Sequence, residues 1–153
     1  MLKEKITNQK ICLFYVSDYH FEMISLPYIR NKIKENNDVI IWTENNLEDT
    51  VKKVLENVDI SEKEKENILE LGWNNEINKL EKLKNKDGEK IIFVKGNKEY
   101  IKSVNKNIES IFNNSNGKIK IIDCYDINEI GAKSKEITKK YKNILVTSGI
   151  KSL

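Results

Sequence analysis

The chain has 153 residues, enough for a single domain over residues 1–153 that buries on the order of 70% of the surface its unfolded form exposes. Charged residues make up 33% and leave a net charge of +3, with lysine and glutamate interleaved as in Glu62-Lys63-Glu64-Lys65-Glu66, so no nucleic acid or other strongly charged partner is expected. No apolar run approaches the roughly 20 residues that span a bilayer, and the opening ten residues lack the apolar stretch of a signal peptide, so the expectation is a soluble, cytoplasmic chain with no membrane partner.

Short apolar runs alternate with longer stretches of helical period, the pattern of βαβ units around a mostly parallel sheet. Strands are predicted at residues 11–16, 39–43, 68–73, 91–95, 119–124 and 144–147. Four of these runs are apolar on both alternating faces, as expected where helices cover both sides of a sheet. The fold class is therefore α/β, a three-layer sandwich with a central sheet of about five or six strands.

Between the strands, apolar residues recur at three- and four-residue spacing: Phe21, Ile24 and Tyr28; Val51, Val54, Leu55 and Val58; Ile101, Val104, Ile108 and Ile111. Ser61 with Glu64 and Asp126 with Glu129 read as capping boxes worth about 1 kcal/mol each, and Asn45 with Glu48 as a weaker third. Pro27 either kinks the first helix or opens a new one. Residues 74–89 form the least regular stretch and end in an Asp87-Gly88 turn. The lysines of residues 133–142 read as a solvated helix face over a buried Ile137 and Tyr141, rather than as a nucleic-acid contact.

Ligands of open parallel sheets bind outside the carboxyl ends of the strands. That rule selects residues 15–20 after the first strand, 43–46 after the second, 73–75 after the third, 95–97 after the fourth and 124–126 after the fifth, and within them Tyr15, Ser17, Asp18, His20, Thr43, Glu44, Trp73, Cys124, Tyr125 and Asp126 are the candidate ligand contacts. Each has a plainer reading: Asp18 and Asp126 as helix N-caps, Tyr15, Tyr19 and Trp73 as packing residues. His20 is the only histidine, and Cys12 and Cys124 stand far apart without metal or redox spacing, so neither a metal site nor a cofactor is expected. The turn after the first strand, Val16-Ser17-Asp18-Tyr19-His20, contains no glycine and no lysine, which a nucleotide-hydrolysing loop requires; GxGxxG and GxSxG are also absent. Lys95-Gly96-Asn97 is a strand-to-helix turn with a faint anion-binding character.

Two stretches together carry a resemblance. Lys10-Ile11-Cys12-Leu13-Phe14-Tyr15 running on to Leu26-Pro27-Tyr28-Ile29 resembles the opening of the MEDS sensory domain family (methanogen/methylotroph, DcmR-type), and Ile121-Ile122-Asp123-Cys124-Tyr125-Asp126 followed by a helix and Asn143-Ile144-Leu145-Val146-Thr147-Ser148-Gly149 resembles its close. Lys10 stands where family members commonly have a histidine. The resemblance implies a degenerate RecA/KaiC-like fold without a phosphate loop, acting as a non-enzymatic sensory module that binds a small organic compound and regulates a partner such as a regulator or histidine kinase. Two other readings stand beside it: a protein-interaction module or scaffold working as a homodimer, and an enzyme using His20 or Cys124.

Overall fold

The computed structural model of the chain describes residues 9–76, 89–112 and 118–153. Its elements are β1 (Gln9–Tyr15), α1 (Asp18–Lys34), β2 (Asp38–Thr43), α2 (Glu48–Glu56), α3 (Glu62–Leu69), β3 (Lys90–Lys95), α4 (Lys98–Phe112), β4 (Ile119–Asp126), α5 (Ile127–Ile130), a 3-10 turn (Gly131–Lys133), α6 (Ser134–Thr138), β5 (Asn143–Val146) and β6 (Gly149–Ser152). They build a six-stranded sheet in the order β2-β3-β4-β1-β5-β6. The first five strands are parallel and β6 is antiparallel to β5.

Strand periodicity sorts the side chains into two cores. Ile11, Leu13, Ile91, Phe93 and Ile122 face a cluster closed by Phe21, Ile24 and Ile29 of α1, Val51 and Leu55 of α2 and Ile68 of α3. Their sequence neighbours Cys12, Ile92, Val94 and Ile121 point the other way, against Ile101, Val104 and Ile108 of α4 and the Ile130, Ile137 and Tyr141 segment. The result is the expected three-layer sandwich.

Local chemistry fixes the element ends. Ser17 opens α1 by accepting a bond from the His20 amide at 3.1 Å. At its other end Asn36 takes φ 63°, and the amides of Asn36 and Asn37 donate to Ile33 and Lys32, a Schellman closure with asparagine in the left-handed position. Pro27 sits on the exposed face within α1, which continues through it.

The structure departs from the sequence reading at three places. Residues 68–73 are not a strand: the Ser61 cap starts α3, Ile68 is buried on its inner face, and Gly72 at φ 73° turns the chain so that Trp73 enters the core. Asn45 does not cap α2: Leu47 is its N-cap, without a side-chain bond, and Asn46, one residue earlier, accepts from the Glu48 amide at 2.8 Å. Beyond β5, Thr147 and Ser148 form a two-residue hairpin turn, with Gly149 at φ 115°, that adds the unforeseen strand β6. The irregular 74–89 stretch, with Asp87-Gly88, lies mostly outside the described residues, while residues 73–76 run along the β2 edge through a Trp42–Asn74 bridge.

Candidate functional site at the strand ends

β1 passes the chain to α1 on one face of the sheet, whereas its neighbour β4 passes it to α5 on the other, so the switch point of the fold lies between these two strands. There the structure opens a cleft of about 350 Å³ lined by Tyr15, Ser17, Asp18, Glu44, Asn45, Lys95, Gly96, Asn97, Asp126 and Glu129. Four carboxylates surround a single lysine, so the lining is acidic.

That lysine is already engaged. Lys95, 6% exposed at the end of β3, places its Nζ 2.9 Å from Asp18 Oδ1 and 4.7 Å from the centre of the Tyr15 ring. The pair ties the first turn of α1 to the sheet, and half-exposed Asp18 faces the cleft as the second residue of the turn rather than as the N-cap, a role held by Ser17. Asp126 does cap a helix, accepting from the Asn128 amide at 2.9 Å.

The Lys95-Gly96-Asn97 turn has its own internal anion. Glu44 Oε1 accepts the Asn97 backbone amide at 3.0 Å and Oε2 accepts the Asn97 side-chain amide at 3.2 Å, while Asn97 Oδ1 caps the Tyr100 amide at 2.7 Å. An external phosphate would have to displace a carboxylate there. Glycine is required in this turn because a Cβ at residue 96 would stand 2.5 Å from Tyr100 Cδ2 and 3.0 Å from Glu44 Cβ. Gly96→Ala is therefore expected to push Glu44 off Asn97 and cost about 1–3 kcal/mol, read as a lowered urea midpoint.

Of the ten residues selected from the sequence, Tyr15, Ser17, Asp18, Glu44 and Asp126 line this cleft. The other five stand elsewhere. Thr43 is buried and its hydroxyl donates to Asn45 O at 2.6 Å. His20 folds back on its own turn, where Nδ1 accepts the Val16 amide at 2.9 Å. Trp73 is wholly buried, with Nε1 donating to Ile68 O at 3.0 Å and its ring edge-on to Phe21. Cys124 is fully buried beneath α1, and burial raises its thiol pKa well above the usual range; burial also takes Cys12 up to about 11. Tyr125, one residue on, points through the opposite face. Asn45, Lys95, Gly96, Asn97 and Glu129 complete the lining, and apart from Glu129 their signal was position at a strand end.

Tyr125 belongs to a buried polar network under α4. Tyr141 Oη donates to Asp123 Oδ2 at 2.6 Å and accepts from Tyr125 Oη at 2.7 Å, and Asn105 Nδ2 donates to Asp123 Oδ1 at 2.9 Å. Burial raises the Asp123 pKa, opposed by the Tyr141 and Asn105 hydrogen bonds. Tyr141→Phe removes the shortest of these bonds and is expected to destabilise the fold by about 1–3 kcal/mol in equilibrium unfolding, because Asp123 keeps its burial while losing a donor.

Among the described residues no three His, Cys, Asp or Glu side chains gather closely enough to hold a metal ion, and no helix is long and apolar enough to cross a membrane. Compared with family models, curated proteins and solved structures, the chain matches none.

Proposed function

We propose that the protein is a MEDS-like sensory domain, a degenerate RecA/KaiC-type sheet whose strand-end cleft takes a small organic molecule and passes its presence to a protein partner. The observation that carries this reading is the acidic cleft of about 350 Å³ at the β1/β4 switch point. Its sign favours a cationic or polyhydroxylated compound and disfavours nucleotides: Asp18 stands where a phosphate loop would need backbone amides, and Glu44 occupies the amide of Asn97. Support against nucleophilic chemistry comes from the two cysteines, whose thiols are buried and held protonated.

The test is thermal unfolding of the purified protein against amines, polyols, other small metabolites and ATP. A ligand at 100 times its dissociation constant stabilises by about 2.7 kcal/mol. The expected result is a rise with a cation or polyol, none with ATP, and loss of the rise in Glu129→Lys, which reverses the charge of an exposed lining residue. A response to ATP alone, or one indifferent to Glu129→Lys, would sink this assignment.

A second reading, a homodimer formed through a sheet edge, is favoured by β6. Residues 73–76 run along β2 at one edge, but β6 ends the sheet at the other with Lys151 and Ser152 exposed. Light scattering that shows a monomer at every concentration would remove it.

A further inference from the structure

One cation serves two acids at the base of the strand-end cleft. Lys95 Nζ lies 2.9 Å from Asp18 Oδ1 and over the rings of Tyr15 and Phe21, 4.7 and 5.4 Å from their centres, in a side chain that is 7% exposed. Glu22 follows Asp18 by one turn of α1, so the helix sets both carboxylates on one face. Asp18 is half-exposed at the cleft, whereas Glu22 is fully buried and neither of its carboxylate oxygens has a hydrogen-bond partner.

A carboxylate sealed in this way is tolerated while it keeps its proton or when a cation reaches it. With Lys95 on Asp18, burial and the Asp18 charge outweigh the lysine, and Glu22 is raised to about 7. The other groups nearby do not compete: Arg30, further along α1, bonds Glu64 of α3, the α2 residues at this wall, Val54 and Leu55, are apolar, and burial holds the Tyr15 phenol of β1 protonated. Lys95 is therefore the one cation on hand for Glu22, and the step from one acid to the other is about one helical turn, roughly 5 Å, within the sweep of a four-carbon lysine stem.

We propose that Lys95 has two positions, holding Asp18 while the cleft is empty and swinging to Glu22 when a cationic ligand takes Asp18, an exchange that rests on the reading of the cleft given above. The charges balance in both states. Empty, the lysine ammonium offsets Asp18 and Glu22 is neutral. Filled, the ligand's ammonium offsets Asp18, Lys95 offsets an ionised Glu22, and the Glu22 proton passes to solvent. Without the second position, entry of a cation would set two ammonium groups on one carboxylate. Two other acids of the cleft are engaged already, Glu44 by both amides of Asn97 and Asp126 by the Asn128 amide.

The experiment is carbon-13 NMR titration of the full chain, with the Glu22 carboxyl identified by its loss in Glu22→Gln, across the parent, Asp18→Asn, Lys95→Met and the double variant. Asp18→Asn releases the lysine, so Lys95→Met should tighten proton binding by Glu22 about tenfold more in that background than in the parent. A hydrogen-bond coupling from Lys95 Nζ to a carboxyl carbon, at Asp18 in the parent and at Glu22 in Asp18→Asn at pH 8, reads the same exchange with only the half-exposed Asp18 altered. In the parent, 1,4-diaminobutane at pH 6 should bind with release of about 0.9 proton, and Glu22→Gln should abolish the release. Equal effects of Lys95→Met in both backgrounds, no coupling to Glu22 in Asp18→Asn, or diamine binding without proton release would each overturn the exchange. Absence of diamine binding, with the Glu22 coupling present in Asp18→Asn, would instead overturn the cationic reading of the cleft and leave the two positions of Lys95 established.

Discussion

Replacing Trp73 by alanine is expected to destabilise the domain by about 3–5 kcal/mol, the largest single effect foreseen for this chain. The indole is wholly buried, meets Phe21 edge-on with ring centres 6.3 Å apart, and spends its one donor on Ile68 O at the end of α3. Removing it opens a cavity beneath α1 and α3 and takes one donor from the Ile68 carbonyl, which keeps the Leu71 amide at 3.3 Å, so the cavity supplies most of the cost. Urea unfolding should show the midpoint falling steeply, while Tyr19→Ala, at a ring that is 63% exposed, stays within about 0.5 kcal/mol of the parent. A Trp73→Ala protein as stable as the parent would mean that the indole is not packed as described. Loss of ligand binding in that variant would report loss of structure, because Trp73 does not line the strand-end cleft.

Trp73 also shows where sequence reasoning reaches its limit. The run of residues 68–73 is apolar and short, and short apolar runs look alike whether they end a helix or form a buried strand. What decides is non-local: Ser61 starts α3 and Gly72 turns the chain, so the alternating Leu69, Leu71 and Trp73 pattern follows the turn rather than a pleat. By contrast β1, β2, β3 and β4 were legible because their alternate residues are apolar on both faces, a demand that only a sheet covered on both sides makes. β6 escaped notice because Gly149-Ile150-Lys151-Ser152 is too short and too polar to carry a period of its own, and pairing with β5 across the Thr147-Ser148 turn is what forms it.

The cleft was legible in outline for a different reason. Parallel topology alone places the carboxyl ends of β1, β2, β3 and β4 at one edge of the sheet, which makes Tyr15, Asp18, Glu44 and Asp126 candidates from the sequence. Which way each side chain points depends on register. Cys124 and Tyr125 are consecutive in β4, yet one is sealed beneath α1 and the other joins the Tyr141–Asp123 network on the far side. The pairing of Lys95 with Asp18 spans 77 residues of sequence, and no local pattern marks it.

Glu22→Gln is expected to reverse the usual pH dependence of a carboxylate. Glu64 shows the common direction: its pKa is lowered by the Arg30 hydrogen bond and charge, so it favours the folded state as pH rises. Glu22 is raised from 4.5 to about 7, chiefly by burial, so the folded protein holds this proton more tightly than the unfolded chain does. Its favourable contribution is complete below pH 4.5 and is lost as pH rises through 7. Over that interval the parent forfeits about 3 kcal/mol that a residue without a titrating proton keeps. Urea unfolding of both proteins at intervals from pH 4 to pH 8 should show Glu22→Gln gaining on the parent by about that amount, with most of the gain between pH 5 and pH 7. The glutamine amide is equally short of partners at every pH, so a fixed penalty added to the pH-dependent gain is compatible with this account. Parallel curves would not be, since they would mean that Glu22 finds a cation or solvent in the folded chain.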